Sequence, residues 1–182
     1  MKYLLTGEST RRLTFRLLDR SFFEEWIEFF KDPDSARFLG FADIGSPYEQ
    51  STEWFRRIEE RYRNDLGGLN ALIDIQTNRF IGQCGLLIQE IDGKTEMEIG
   101  YSIMPEFRNK GYATEAAVKC RDFAFTNNLT ETLISIIHIE NINSEKVALN
   151  SGMVRTRQTE FRNMPVNIFR IDKPAWSDLK KI

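Results

Sequence analysis

"MPEFRNKGYATEA", residues Met104–Ala116, joins an apolar strand-like run to the start of a helix through a short basic turn that contains one glycine. The amides of Asn109, Lys110, Gly111, Tyr112 and Ala113 fall at or just before the helix N-terminus, where backbone donors lack partners within the helix. Such a place attracts anions, because the helix dipole adds roughly half a positive charge there and Gly111 lets the backbone turn or approach a ligand closely. Arg108 and Lys110 strengthen the field, although by themselves they read equally well as exposed loop charges.

Upstream of this turn, "NALIDI", "RFIGQCGLLIQEI" and "TEMEIGYSIM" are strand-like runs separated by "QTN" and "DGK", which predicts an antiparallel three-strand meander. Before them, Leu13 to Leu17 alternates apolar and polar residues as a first strand. "SFFEEWIEFF" predicts a short aromatic helix with Ser21 as N-cap and Glu24 as its capping-box partner, its rings spaced for packing in the core. A loop containing Pro33, Gly40 and Gly45 is expected next. Ser46-Pro47-Tyr48-Glu49 then opens a long helix, with Glu53/Arg57 and Glu59/Arg63 as i,i+4 pairs and Gly67-Gly68 as its stop. Downstream, a helix from about Gly111 to Phe125 leads to the strand "TLISIIHI", a short helix ending near Gly152, and "FRNMPVNIFRI" of strand character. The order is α/β around one sheet, and with no linker or repeat the expectation is one domain, 1–182.

Composition narrows the function. The 41% hydrophobic residues and mixed charges are those of a globular chain, and a net charge of −2 argues against a nucleic-acid partner, which would require clustered Lys and Arg. Cys84 and Cys120 form no C-x-x-C pair and sit in apolar runs, so buried free thiols in a reducing cytoplasm are expected rather than a disulfide or metal ligands. The first residues are too weakly apolar for a signal peptide, and no run reaches the ~18 apolar residues of a membrane span. The expected location is cytoplasmic, with no membrane partner. Phosphate motifs of other kinds fail: Ile88 stands where a P-loop ending in Gly93-Lys94-Thr95 needs its first glycine, and no G-x-G-x-x-G exists.

Taken in context, "EMEIGYSIMP" followed by Arg108-x-x-Gly111-x-Ala113 and a helix, after a meander, resembles the acyl-CoA pyrophosphate loop of the GNAT acetyltransferase superfamily, Q/R-x-x-G-x-G/A. A second segment, "HIENINSEKVALNSGM", is similar to that family's N-x-x-S…G-F/M run at Asn141, Ser144, Gly152 and Met153. With "IGYSIMPEFRNKGYATEA" and Trp176, the resemblance is nearest to the RimJ/RimL-like branch, which acetylates protein N-terminal amines. It implies a GNAT-like acyl-CoA N-acyltransferase fold, a mixed central sheet of about seven strands flanked by helices. It also implies acetyl-CoA as cosubstrate with no metal, its pyrophosphate on the amides from Asn109 to Ala113 and Asn141 as a pantetheine contact.

Acetylating an amine requires removal of a proton, since an α-amine has a pKa of about 7.7–8.0 and an ε-amine about 10.4. Glu96 and Glu98 alternate along one strand and face one side, and Glu98 is the candidate base, with a solvent-facing strand carboxylate as the alternative reading. By resemblance, a backbone N–H of Tyr101, Ser102 or Ile103 would stabilise the developing oxyanion. Many relatives carry a late-strand tyrosine that protonates the departing thiolate. The last tyrosine here is Tyr112, and Phe169 stands near that late position. Ser144 is therefore the candidate acid, with helix capping as its other reading. His138, the sole histidine, is an outside alternative as base. The segment Arg37–Tyr48 would wall the acceptor site, with Phe38, Phe41 and Tyr48 shaping specificity. The expected acceptor is a protein N-terminus, a ribosomal one being the precedent in the family it resembles. Small amines, a non-catalytic CoA-binding module and an interaction domain are the alternatives, and the chain is read as a monomer or homodimer.

Overall fold

The computed structural model describes residues 2–179. Seven strands form one sheet: β1 (Leu13–Leu17), β2 (Gly67–Asp74), β3 (Phe80–Ile91), β4 (Lys94–Ile103), β5 (Thr132–His138), β6 (Val154–Phe161) and β7 (Met164–Asp172), in the order β1-β2-β3-β4-β5-β7-β6. The meander forms as the turn signals predict, with Asn78 and the pair Asp92-Gly93 at positive φ in its two turns. Every neighbouring pair is antiparallel except β4 and β5. A parallel pair needs a crossover, and here α4 (Tyr112–Thr126) supplies it.

β3 and β4 stay in register from Gly82 opposite Ile103 to Ile91 opposite Lys94. By contrast, β4 and β5 pair only at Glu98 and Ile134. The sheet therefore forks after Glu98, and the C-terminal halves of the two strands line an opening instead of bonding each other.

Helices cover the two faces. After a one-turn helix at Arg20–Phe22, α1 (Phe23–Phe30) begins later than its apolar spacing predicts. Asp19, not Ser21, caps this start: its carboxylate accepts from the Ser21 N–H and also from the Ser21 hydroxyl, which is thereby removed from capping. The expected loop at Pro33 and Gly40 is instead α2 (Pro33–Leu39), with Asp32 as N-cap and Gly40 at φ 72 as its left-handed end. Pro33 and Gly40 read as breakers when they are the first helical position and the C-terminal stop of a helix of two turns.

In α3 (Pro47–Arg63) the Ser46/Glu49 capping box is present and Arg57 pairs with Glu53. Glu59 turns to Arg20 while Arg63 bonds the Glu59 carbonyl, so the second expected pair does not form. Gly67 and Gly68 open β2 rather than ending α3. At Gly67, φ 70 and a Cβ that would lie 2.2 Å from the Leu86 carbonyl oxygen admit glycine alone. α5 (Ile142–Asn150) and α6 (Lys173–Leu179) complete the chain.

The last region holds two strands where the sequence suggests one. β6 is an edge strand with little apolar signal, Arg155 and Arg157 among its residues, and Arg162-Asn163 make a two-residue turn at φ 52 and 61 without the usual glycine. The core gathers the α1 rings as predicted: Trp26 stacks on Phe29 with centroids 4.0 Å apart, and Phe30, Phe41 and Phe55 are buried beside them. Cys84 and Cys120 are buried free thiols, their sulfurs 3.5 Å apart between β3 and α4.

Candidate active-site cleft

One wall of the fork is the turn into α4. Asn109 and Gly111 both adopt left-handed conformations, φ 60 and 79, and Gly111 caps α4 without any side-chain hydrogen bond. Among the described residues, the amides from Asn109 to Thr114 meet no acceptor, and the first bonded amide is that of Glu115, donating to the Gly111 carbonyl at 3.0 Å. Six consecutive unbonded N–H groups at a helix start form a cradle suited to an anion with several oxygens.

The loop is braced from a distance. Arg12 donates to the Lys110 carbonyl at 2.9 Å and to Glu115 at 2.6 Å, and its guanidinium lies over the Tyr112 ring. Thr10 and the Arg12 amide bind the same Glu115 carboxylate. Sequence reading misses Arg12 and Glu115 because no local pattern links residues so far apart in the chain.

Arg108 turns away from the amides. Its guanidinium is an ion pair with Asp32 and donates to Ser35 at 2.6 Å and to the Ile103 carbonyl at 3.1 Å, so α2 is tied to the end of β4 and the field of Arg108 is partly cancelled. Burial would raise the Asp32 pKa, but the bonds from Arg108 and Ser35 outweigh it and hold the carboxyl below its usual value. Lys110 is exposed near the Phe107 ring, the Tyr112 hydroxyl donates to Asp74 at 3.0 Å, and Ala113 lines the cleft.

A cavity of about 690 Å³ extends from this turn, through the fork, to α3 and the β6–β7 turn. Along β4 the backbone alternates in direction. The Ile99 carbonyl accepts from Ser135 of β5 at 2.9 Å, so the Tyr101 and Ile103 peptide groups face the fork, while the Ser102 carbonyl faces Gly82 of β3. Of the three expected backbone donors, Tyr101 and Ile103 are on the open side. Opposite them, the Asn141 side chain caps α5 by accepting from the Ser144 N–H at 3.1 Å, leaving its NH₂ group directed to no partner among the described residues. The Tyr101 hydroxyl donates to the Ser144 carbonyl at 2.7 Å, and burial raises its pKa far above the usual tyrosine value, so it keeps its proton. The Ser144 hydroxyl has no hydrogen-bond partner among the described residues, and the residue lines the cleft.

Glu98 sits where the fork opens and is 8% exposed. Its carboxyl accepts from Gln89 at 2.6 Å, and the Ile136 N–H of β5 helps to lower its pKa. Burial raises its pKa, more than these bonds and the nearby charges of Arg61 and Arg162 lower it. Glu96 shares its face as the alternation predicts, but is an ion pair with Arg170 at 2.5 Å and does not reach the cleft.

The expected specificity residues separate. Phe38 lines the cleft beside the His138 ring, 5.4 Å between centroids. Phe41 instead is 1% exposed, packed between Phe30 and Trp54, because α2 turns it inward. Tyr48, on the first turn of α3, is 60% exposed against Phe23 and outside the cleft. His138 lines the cleft, and its Nδ1 accepts from the Glu140 N–H at 3.2 Å. Phe169 is fully buried on β7 opposite Ser135 and does not line the cleft, so that late position offers no proton donor. No group of three or more His, Cys, Asp or Glu among the described residues is placed to hold a metal, and no helix among them is long and apolar enough to cross a membrane.

The amide cradle, the left-handed Gly111 and the free Asn141 amide fit acetyl-CoA, whose pyrophosphate is an anion and whose pantetheine arm carries amides. Comparison with known proteins agrees. The profile of the acetyltransferase (GNAT) domain matches residues 12–154. The uncharacterized protein YkkB of Bacillus subtilis is 33% identical over 77% of this chain and 80% of its own. Among solved structures, the ribosomal-protein alpha-N-acetyltransferase RimL in complex with coenzyme A superimposes with a TM-score of 0.74 at 13% identity, over 93% of this chain and 98% of its own. A spermidine N-acetyltransferase from Vibrio cholerae, with CoA and spermine, gives 0.70 at 19%, over 92% and 99%. At these identities both establish the shared fold alone.

Proposed function

The chain belongs to the GNAT family of acetyltransferases and is an acetyl-CoA-dependent enzyme, and on that premise we propose that it transfers the acetyl group directly to a primary amine held at the fork of β4 and β5. The observation that carries this reading is the placement of one buried carboxyl, Glu98, at the point where the two strands part, in the same cavity as the unbonded amides of α4. We assign the amides from Asn109 to Ala113 to the pyrophosphate and the Asn141 NH₂ group to the pantetheine arm, with Arg108 shaping the loop through Asp32. Bound acetyl-CoA supplies an activated acyl carbon and a thiolate leaving group, since a thiol pKa is only about 8.5.

The residues of the chain supply the rest. Glu98 takes a proton from the incoming ammonium, and its raised pKa brings it nearer to that of an amine than an ordinary carboxylate would be. The Tyr101 and Ile103 N–H groups on the open side of β4 stabilise negative charge developing on the acyl oxygen. The Ser144 hydroxyl relays to the sulfur the second proton, which the attacking nitrogen loses as the carbon–sulfur bond breaks.

We assign the acceptor to the N-terminal amine of a protein, ribosomal in the RimJ/RimL-like reading. An α-amine, at about 7.7–8.0, is closer in pKa to a raised carboxyl than an ε-amine at about 10.4. We read 1–182 as one domain acting in the cytoplasm as a monomer or homodimer. The test is release of free thiol from acetyl-CoA in the presence of Ser- and Ala-starting peptides. Turnover that disappears on Glu98→Gln supports the reading, whereas turnover of small polyamines alone would remove the protein acceptor.

A further inference from the structure

The end of the cleft opposite α4 is walled by arginines. Arg57 and Arg61 extend from α3 and Arg162 from the β6–β7 turn, and all three line the cavity. Arg57 is neutralised by Glu53, 2.7 Å away. Arg61 and Arg162 form no ion pair among the described residues. One terminal nitrogen of Arg61 donates to the carbonyls of Leu66 and Ile88, at 2.7 and 2.6 Å, while the other bonds no acceptor among the described residues. Arg162 is solvent-exposed as a residue, and its guanidinium lies over the Phe161 ring, 5.0 Å from the centroid. Its guanidinium is nevertheless crowded enough for desolvation and the Arg57 charge to pull its pKa down.

Arg61 and Arg162 also border a second groove lined by Glu90, Asp92 and Glu160, where Asp92 is engaged by Arg157 at 2.7 Å and Glu90 accepts from the Thr95 hydroxyl. Glu60 is engaged by Arg56 at 3.0 Å, and Glu98 remains as the acid on which Arg61 and Arg162 act. On the cavity side, where Glu98 is the acid that acts on them, these two guanidiniums leave one excess positive charge with Glu98 ionised and two with it protonated. An ammonium entering alone is repelled by that excess, and a polyamine or an aminoglycoside more so.

We infer that the acceptor is an amino carboxylate, a primary amine with a carboxylate a few bonds away, its carboxylate seated between Arg61 and Arg162 and its amine turned to Glu98. This rests on the acetyl-transfer reading above. The carboxylate accepts from the Arg61 terminal nitrogen that bonds no carbonyl and from Arg162, it neutralises the excess charge, and the planar guanidiniums match its geometry. Two sources carry this chemistry: the α-carboxylate of a free amino acid, or the acidic side chain at the second position of a peptide.

The experiment compares kcat/KM for the C-terminally amidated dipeptides Ser-Glu and Ser-Lys, free glutamate and spermidine, with the wild type, Arg162→Gln and Arg162→Lys. Arg162 lies in an exposed turn, so its replacement leaves the core intact. Glutarate, a dicarboxylate without an amine, is the second probe, read as a shift in unfolding temperature. The expected result is a preference of about tenfold or more for Ser-Glu amide or glutamate over Ser-Lys amide and spermidine. Arg162→Gln should collapse the preference and Arg162→Lys restore most of it, and glutarate should stabilise the wild type but not Arg162→Gln. Preference for Ser-Glu amide or for glutamate identifies the source of the carboxylate. Equal rates, or faster rates with the cationic acceptors, overturn the inference. If glutarate stabilises through Arg162 but no amine is acetylated, the carboxylate site stands and the transfer reading fails.

Discussion

The two ends of the cleft are built in different ways. At the α4 end, consecutive residues from Asn109 to Ala113 present backbone amides, and the side chains nearby only brace the loop. At the other end the working groups are side chains delivered by separate elements: Glu98 from β4, Gln89 from β3, Arg61 from α3 and Arg162 from the β6–β7 turn. A site made of backbone tolerates changes in its side chains as long as the turn keeps its shape. A site made of side chains is defined by each of them singly, which makes the second end the place where specificity can vary while the fold stays constant.

The sharpest way to separate the ends is Glu98→Gln, which keeps the shape and one oxygen to accept from Gln89. It should lower kcat/KM by about a hundredfold or more, measured as thiol release, while stabilisation by acetyl-CoA stays at the wild-type level. A loss of both would mean that the ends are not independent. Arg108→Ala removes the ion pair to Asp32 and the bonds to Ser35 and the Ile103 carbonyl, and should lower stability in chemical denaturation by about 2 kcal/mol. Because the guanidinium does not face the amides, acetyl-CoA affinity should fall far less than with a blocked cradle. Arg12→Ala leaves the Lys110 carbonyl and Glu115 without their brace and should cost about 1–2 kcal/mol, with a weaker acetyl-CoA response as the loop loosens. Tyr101→Phe removes one bond to the Ser144 carbonyl, and a loss of about 1 kcal/mol is expected.

The pH dependence also distinguishes the ends. Because the folded pKa of Glu98 is raised from 4.5, the folded state binds its proton more tightly than the unfolded state does. That contribution to stability is complete below the unfolded value and is lost as pH climbs toward the folded one. Thermal unfolding of Glu98→Gln should therefore gain on the wild type as pH rises above about 4.5. A difference independent of pH would show that the carboxyl is not buried in the way described.

Legibility in the sequence followed the same division. The strand, turn and helix around Gly111 were readable because backbone geometry leaves local marks: a glycine at positive φ, a break in alternation, a helix start. Glu98 was visible through the period of two, although the period could not tell it from Glu96, which Arg170 withdraws from the cleft. Asn141 and Ser144 were found through the resemblance to the family's N-x-x-S run. Arg61 looked like one more charge on a solvated helix, and Arg162 lay inside what read as a single strand because β6 has few apolar residues and its turn has no glycine. Phe41 and Tyr48 were misplaced for a related reason, since α2 was hidden behind a proline and a glycine that read as loop. Contacts between elements distant in the chain decide the second end, and no local pattern records them.

The most direct test of the account is thermal unfolding with and without acetyl-CoA for the wild type, Glu98→Gln and a Gly111→Glu variant confirmed as folded by circular dichroism. At about a hundred times its Kd the ligand contributes roughly 2.7 kcal/mol, which for a chain of this size is a rise of roughly 5–10 °C. The account predicts that rise in the wild type and in Glu98→Gln, and its loss in Gly111→Glu, where a carboxylate stands in the amide cradle. A wild type that does not respond, or a Gly111→Glu variant that responds in full, would contradict it.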